Sequence, residues 1–167
     1  MAQLALFQYG QGLLSVCKPT RYFGKLTADI NNRQHVLAEI AALLSLTDYH
    51  ETWIERITTK GFSMKWHCDD AAVLKTKHHK TCGTMITPHY KLYHKNKLPL
   101  YSAIIYLSDF NIDFTGGEFE FVDERILPQR HYVLVFDSRD VHRVLPVTSG
   151  ERKTILVKFY SVSHDVI

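Results

Sequence analysis

The chain has 167 residues, 46% of them apolar and 22% charged, the balance of one soluble globular domain with a hydrophobic core rather than a disordered segment. Its formal net charge of +3 is too small to point to a nucleic-acid partner, and no stretch approaches the ~20 apolar residues of a membrane-spanning helix. Three widely spaced cysteines, Cys17, Cys68 and Cys82, make no disulfide framework, and the N-terminus carries neither a basic leader nor an apolar run of signal length, so the expectation is a reduced, cytoplasmic setting.

In chain order, residues 31–58 read as helical. Asn31 or Asn32 can cap a first helix, and Val36, Leu37, Ile40, Leu43 and Leu44 recur at helical spacing as one buried stripe. A second helix is expected from Asp48, carrying Trp53, Ile54 and Ile57 and broken by Gly61. From there the period turns to strands over 62–67, 101–108, 117–122, 131–137, 142–147 and 153–162. Each is short, rich in β-branched or aromatic residues and bounded by Gly, Pro, Asp or Ser. Without helices between the later strands there are no crossovers for a parallel sheet. The expected architecture is mainly β, an antiparallel sandwich or barrel with N-terminal helices packed on one side. Residues 1–167 form a single domain in this reading, with 1–60 a largely helical support and 61–162 the β core. Between two of the strands, residues 75–97 form a basic insertion. It holds Lys75, Lys77, Lys80, Lys91, Lys95 and Lys97 and no acidic residue, a length and composition that suit a lid or a partner-binding segment.

Chemistry concentrates in two places. In His67-Cys68-Asp69, strand alternation would turn His67 and Asp69 to one face and Cys68 to the other. Such a triplet alone is common by chance. Downstream, His142 opens an apolar strand after a polar turn, and in a sandwich that strand can return beside the one bearing His67. Two imidazoles and one carboxylate on one face leave the far side of a metal open, the arrangement of non-haem Fe(II) oxygenases. Arg152 follows ten residues after His142, and its planar fork suits a carboxylate such as the distal one of 2-oxoglutarate. Thr154 shares its face and can add a hydroxyl donor. Tyr106 shares a face with Ile104 and Ser102 and can bring a phenol to the same carboxylate. Taken singly, Arg152 reads as a surface arginine and Tyr106 as a half-buried core tyrosine; their order and spacing together favour the site.

Four motifs carry a resemblance. The run Tyr101-Ser-Ala-Ile-Ile-Tyr-Leu-Ser-Asp109, then Asp113-Phe-Thr-Gly-Gly-Glu-Phe-Glu-Phe121, then His142-Arg-Val-Leu-Pro-Val147 and Gly150-Glu-Arg152 resembles the catalytic domain of the prolyl and lysyl hydroxylases, within the Fe(II)/2-oxoglutarate-dependent dioxygenases. It is most similar to the leprecan-type prolyl 3-hydroxylases. The likeness spans about residues 62–162. It implies a double-stranded β-helix, or jelly roll. It implies a metal held by His67, Asp69 and His142, with Arg152, Tyr106 and Thr154 on the 2-oxoglutarate tail and no catalytic residue beyond the metal ligands. Gly116 and Gly117 match a Gly-Gly turn, where a tight backbone explains glycine. The implied cofactors are Fe(II), 2-oxoglutarate and dioxygen, with ascorbate as a candidate accessory. The implied reaction is hydroxylation of a C–H bond on a prolyl or lysyl side chain of a protein or peptide. Asp70 departs from the family, which often has Asn there.

Other readings stay open at this point. The chain can be an inactive β-helix that binds metal or a partner without turnover. The insertion offers His78, His79, Cys82, His89 and His94 as zinc ligands, at no recognised spacing. Its basic charge can attract nucleic acid, as in a base-directed oxygenase, although only Tyr90 and Tyr93 are there to stack; an acidic protein segment is the other candidate. No membrane partner is expected, and oligomeric state is left open.

Overall fold

The computed structural model describes residues 21–69 and 99–161. The basic insertion with its histidines, Cys17 and Cys82 lie outside the described residues. The elements in chain order are β1 (Arg21–Lys25), α1 (Arg33–Leu43), β2 (Tyr49–Thr58), β3 (Met64–His67), β4 (Pro99–Tyr106), β5 (Phe114–Gly116), β6 (Phe119–Phe121), β7 (Arg125–Ile126), β8 (Tyr132–Asp137), β9 (His142–Val144), β10 (Val147–Gly150) and β11 (Arg152–Ser161). A major sheet runs β1-β8-β4-β11-β2, a minor sheet runs β3-β9-β6-β7, and β10 pairs with β5 as a separate ribbon. The pairs within these sheets are antiparallel. This is the expected double-stranded β-helix.

The major sheet is covered on both faces, which is why Ala103–Tyr106 and Val133–Phe136 are unbroken buried runs rather than alternating ones. Its outer face packs Ala103, Ile105, Val133, Val135, Ile155, Val157 and Phe159 against Val36, Leu37, Ile40 and Leu44 of the helical stripe. Burying each such side chain contributes roughly 1.5–3 kcal/mol, and that packing holds an 11-residue helix that would be marginal alone. Asn32 is the N-cap, its side chain accepting from the His35 amide at 3.2 Å. The inner face carries Ile104, Tyr106, Leu134 and Phe136, which meet Phe119, Phe121, Ile126 and Val144 of the minor sheet.

The expected second helix is instead β2. Trp53, Ile54 and Ile57 fit a helical stripe by spacing, but Tyr49–Thr58 pairs with β11 over its whole length, from Thr58↔Arg152 to Tyr49↔Ser161. Trp53 and Tyr49 then face the helix side, while Ile57 is exposed. Long-range pairing decides between two locally plausible periods here. Consequently the support before residue 60 is one helix and two strands among the described residues, not largely helical. The expected strand 142–147 is also two, because Leu145-Pro146 interrupts the ladder. The expected strand 117–122 shortens to β6, because Gly116 and Gly117 both adopt positive φ (71° and 68°). A side chain on Gly116 would strike the Pro146 carbonyl. No described helix is long and apolar enough to cross a membrane.

Candidate active site

The site lies between the two sheets. His67, the last residue of β3, is the register partner of His142, the first residue of β9. Their ring centroids are 4.2 Å apart. Asp69 sits in a bend just beyond β3, so it reaches the histidine face by a turn of the chain rather than by strand alternation. One ligand atom from each of His67, Asp69 and His142 lies within 4.8 Å of the others, and buried Cys68 does not join them. Asp69 Oδ1 stands 3.7 Å from His67 Nε2 and 3.6 Å from His142 Nε2.

Each donor is held by a further contact. Nδ1 of His67 lies 2.7 Å from the Lys65 carbonyl and Nδ1 of His142 lies 2.8 Å from the Asp140 carbonyl. Those acceptors require Nδ1–H, which leaves an Nε2 lone pair on each ring. Ser102 Oγ donates to Asp69 Oδ2 at 2.5 Å. The His142 ring stacks on Phe119 at 5.0 Å and takes the edge of Phe136 at 4.7 Å. Burial in this aromatic pocket, against the pull of Asp69, lowers the His142 pKa to about 4, so the ring is neutral and able to donate to a metal. For Asp69 burial acts upward, but Lys158, His142 and the Ser102 hydrogen bond outweigh it and its pKa is lowered. Two imidazoles that each present Nε2 and one carboxylate, with donor atoms on a common side, form a donor set that fits Fe(II) with open positions.

The second half of the site is on the major sheet. Arg152 begins β11, and Thr154 two residues on is the register partner of Tyr106 on β4. All three are at most 4% exposed. Arg152 Nε donates to the Gly117 carbonyl at 3.0 Å, and a side chain on Gly117 would come within 2.8 Å of Arg152 Cδ. The Gly-Gly turn therefore makes room for the guanidinium and also anchors it. The guanidinium carbon lies 5.5 Å from the Tyr106 ring centroid. Arg152 Nη2 and the Tyr106 hydroxyl are nonetheless both buried without a hydrogen-bond partner. Burial raises the Tyr106 pKa and lowers that of Arg152, each partly countered by the other. Two adjacent buried donors lacking an acceptor are costly and fit the carboxylate of an oxoacid.

The six residues expected to hold the metal and the oxoacid all lie among the described residues: the triad on the minor-sheet side, and Arg152, Thr154 and Tyr106 on the major sheet. Three features were not read. Ser102 was named only for its face, yet it fixes Asp69. Arg21 clamps Asp140, the carbonyl partner of His142, with Nε and Nη2 at 2.5 and 2.8 Å from its carboxylate. Lys158 acts electrostatically on both Asp69 and His142. Continuing the alternation of β11 from Arg152 would have reached Lys158.

The 2OG-Fe(II) oxygenase superfamily profile matches residues 52–161. A curated relative, 2-oxoglutarate and iron-dependent oxygenase domain-containing protein 3 of Xenopus tropicalis, is 40% identical over 65 residues, which is 35% of this chain and 20% of that protein. The chain thus aligns with about a fifth of that relative's length. Among solved structures, the viral collagen prolyl hydroxylase of Paramecium bursaria Chlorella virus-1 superposes with a TM-score of 0.57 at 15% identity, covering 87% of this chain and 80% of that one. A prolyl-4-hydroxylase of Pseudomonas putida superposes with a TM-score of 0.54 at 16% identity, covering 87% and 73%. These structural likenesses are likenesses of fold.

Proposed function

The chain belongs to the 2OG-Fe(II) oxygenase superfamily, and from that premise we propose that it is an Fe(II)- and 2-oxoglutarate-dependent dioxygenase acting on a prolyl, or alternatively a lysyl, C–H bond in a protein or peptide. The observation that carries the reading is the convergence of His67, Asp69 and His142 beside two buried, unpartnered donors on Arg152 and Tyr106. A purely structural core gains nothing from either arrangement. The motif resemblance and the prolyl hydroxylases that share the fold support a prolyl substrate.

In this reading His67 and His142 would hold the iron through Nε2, because the backbone carbonyls of Lys65 and Asp140 fix the opposite nitrogens. Asp69 supplies the charged ligand, and Ser102 fixes its second oxygen. Arg152 would pair with the distal carboxylate of 2-oxoglutarate, the Tyr106 hydroxyl would donate a hydrogen bond to it, and Thr154 shares the same face. Phe119 and Phe136 keep water from the His142 side. When bound, the iron, oxoacid and dioxygen supply the oxidising power for hydroxylation, with succinate and carbon dioxide as coproducts. No protein nucleophile is required.

The test is succinate release with Fe(II), 2-oxoglutarate and ascorbate as accessory reductant, using prolyl, lysyl and asparaginyl peptides read by mass shift. Prolyl peptides should gain one oxygen. His67→Ala should abolish the reaction with the fold retained, and full turnover by that variant would refute the assignment.

A further inference from the structure

The inner face of the β2–β11 half of the major sheet is cationic. In register, Arg56 lies beside Thr154 and Tyr106, Ile54 beside Leu156 and Ile104, and Thr52 beside Lys158 and Ser102. Cross-strand partners share a face, and Leu156, Ile104 and Tyr106 fix that face as the one between the sheets. It therefore presents Arg56, Arg152 and Lys158 around the site and no acidic residue from β2 or β11. The glutamates of β2, Glu51 and Glu55, fall at the alternate positions, on the opposite face.

One of these three cations is accounted for by the oxoacid. The other two are not. Arg56 and Lys158 have no hydrogen bond or ion pair with a described residue, and both are half-buried. Each acts on the site from a distance: Arg56 on Arg152, Lys158 on Asp69 and His142. Next to Lys158, the Thr52 hydroxyl is buried with no partner. Between the two cations, Ile54 is 37% exposed although it points to the inner face. Because β2 ends the sheet, this strip is the rim of the site.

We propose that Arg56, Lys158 and Thr52 form the substrate-reading rim, which takes a peptide with carboxylate side chains on both sides of the hydroxylated residue. This rests on the oxygenase reading and names the substrate class for that same site. The Arg56 and Lys158 rows are four residues apart on β2 by register, about 13 Å in a strand. An extended peptide repeats at nearly the same rise, so acidic residues two before and two after the target fit the two cations. Ile54, between them, meets the target side chain with an apolar contact, as a proline ring would require. Among the described residues the strip offers no exposed aromatic ring, since Tyr49 and Trp53 of β2 pack on the helix side. Single-stranded nucleic acid is bound mainly by base stacking on such rings, which favours the peptide.

The test uses fluorescein-labelled heptapeptides with a central proline and Glu, Gln or Lys two residues to either side. Binding is read by anisotropy to the Fe(II)- and 2-oxoglutarate-loaded chain without oxygen. The Glu peptide should bind about tenfold more tightly than the Gln peptide and lose that advantage in high salt. In an Arg56→Glu, Lys158→Glu double variant the order should reverse to favour the Lys peptide. Arg56→Gln and Lys158→Gln, which are milder, should each narrow the Glu-over-Gln ratio. Equal binding of the Glu and Gln peptides to the parent chain overturns the proposal. So does a mixed-sequence oligonucleotide that displaces the Glu peptide at lower concentration, or a variant that weakens 2-oxoglutarate while keeping the peptide order. The visible charge-transfer band of iron with 2-oxoglutarate separates the two readings. If it never forms, the oxygenase assignment fails, while the peptide ranking still decides the charge preference.

Discussion

Ser102, in the middle of the major sheet, donates to the outer oxygen of Asp69, a residue beyond the end of a minor-sheet strand, at 2.5 Å. That bond orients the one charged member of the proposed metal triad. Ser102→Ala should weaken metal binding roughly 10–100-fold with little change in secondary structure. Titration of the metal-free chain with Fe(II) or Mn(II) by calorimetry checks this, and an unchanged affinity would remove Ser102 from the site.

Tyr106 and Arg152 should separate stability from binding. The Tyr106 hydroxyl is buried without a partner among the described residues, so Tyr106→Phe should leave the Tm of the chain without cofactors unchanged or raise it. The same change removes one donor to a charged carboxylate, worth about 1.5–3 kcal/mol, and so should raise the 2-oxoglutarate requirement roughly tenfold or more. Arg152→Ala should raise it far more, because a charge-assisted bidentate pair is lost. A Tyr106→Phe variant with lower Tm and unaltered 2-oxoglutarate dependence would contradict the assignment.

His142 makes the metal-free chain acid-sensitive. Its pKa is lowered by burial to about 4 in the folded state, against about 6.5 when unfolded. The unfolded chain therefore binds more protons between those values. The stabilisation is complete above about pH 6.5 and is lost as pH falls towards 4, amounting to about 3 kcal/mol at most. Denaturant titrations of the parent and His142→Asn chains at pH 7 and 4.5 should show a steeper loss in the parent.

Gly117→Ala should disable the anchor without replacing it. The residue has φ of +68°, which costs an L side chain roughly 1–2 kcal/mol. Its methyl would also crowd Arg152 Cδ. The expected result is a modest fall in Tm with a larger rise in the 2-oxoglutarate requirement. Gly61→Ala, also at positive φ (94°) but in open space, should show the first effect and not the second.

What could be read from the chain followed from how local the information was. His67, His142 and Arg152 announce themselves because each opens or closes an apolar strand with a residue type that core packing does not call for. The longer strands of the β core are legible from β-branched runs such as Val133–Phe136, whereas β5 and β7, three and two residues long, are too short to show a period. β2 was not, because Trp53, Ile54 and Ile57 satisfy a helical spacing and only pairing with β11, about a hundred residues away, selects the extended form. Asp69 reaches its place by a bend beyond β3, which strand alternation from His67 does not describe. Lys158 is not legible because a lysine near the end of a strand looks solvated until folding brings its charge to bear on Asp69 and His142.

His67 and His142 belong to the four-stranded layer of the sandwich, and Arg152 with Tyr106 to the five-stranded one. An oxoacid gripped at both ends would therefore act as a rivet through the two layers. Cofactor loading then becomes a matter of cohesion as well as chemistry: the loaded chain should resist prying apart at this seam, and its amides on both sides should exchange with solvent more slowly together.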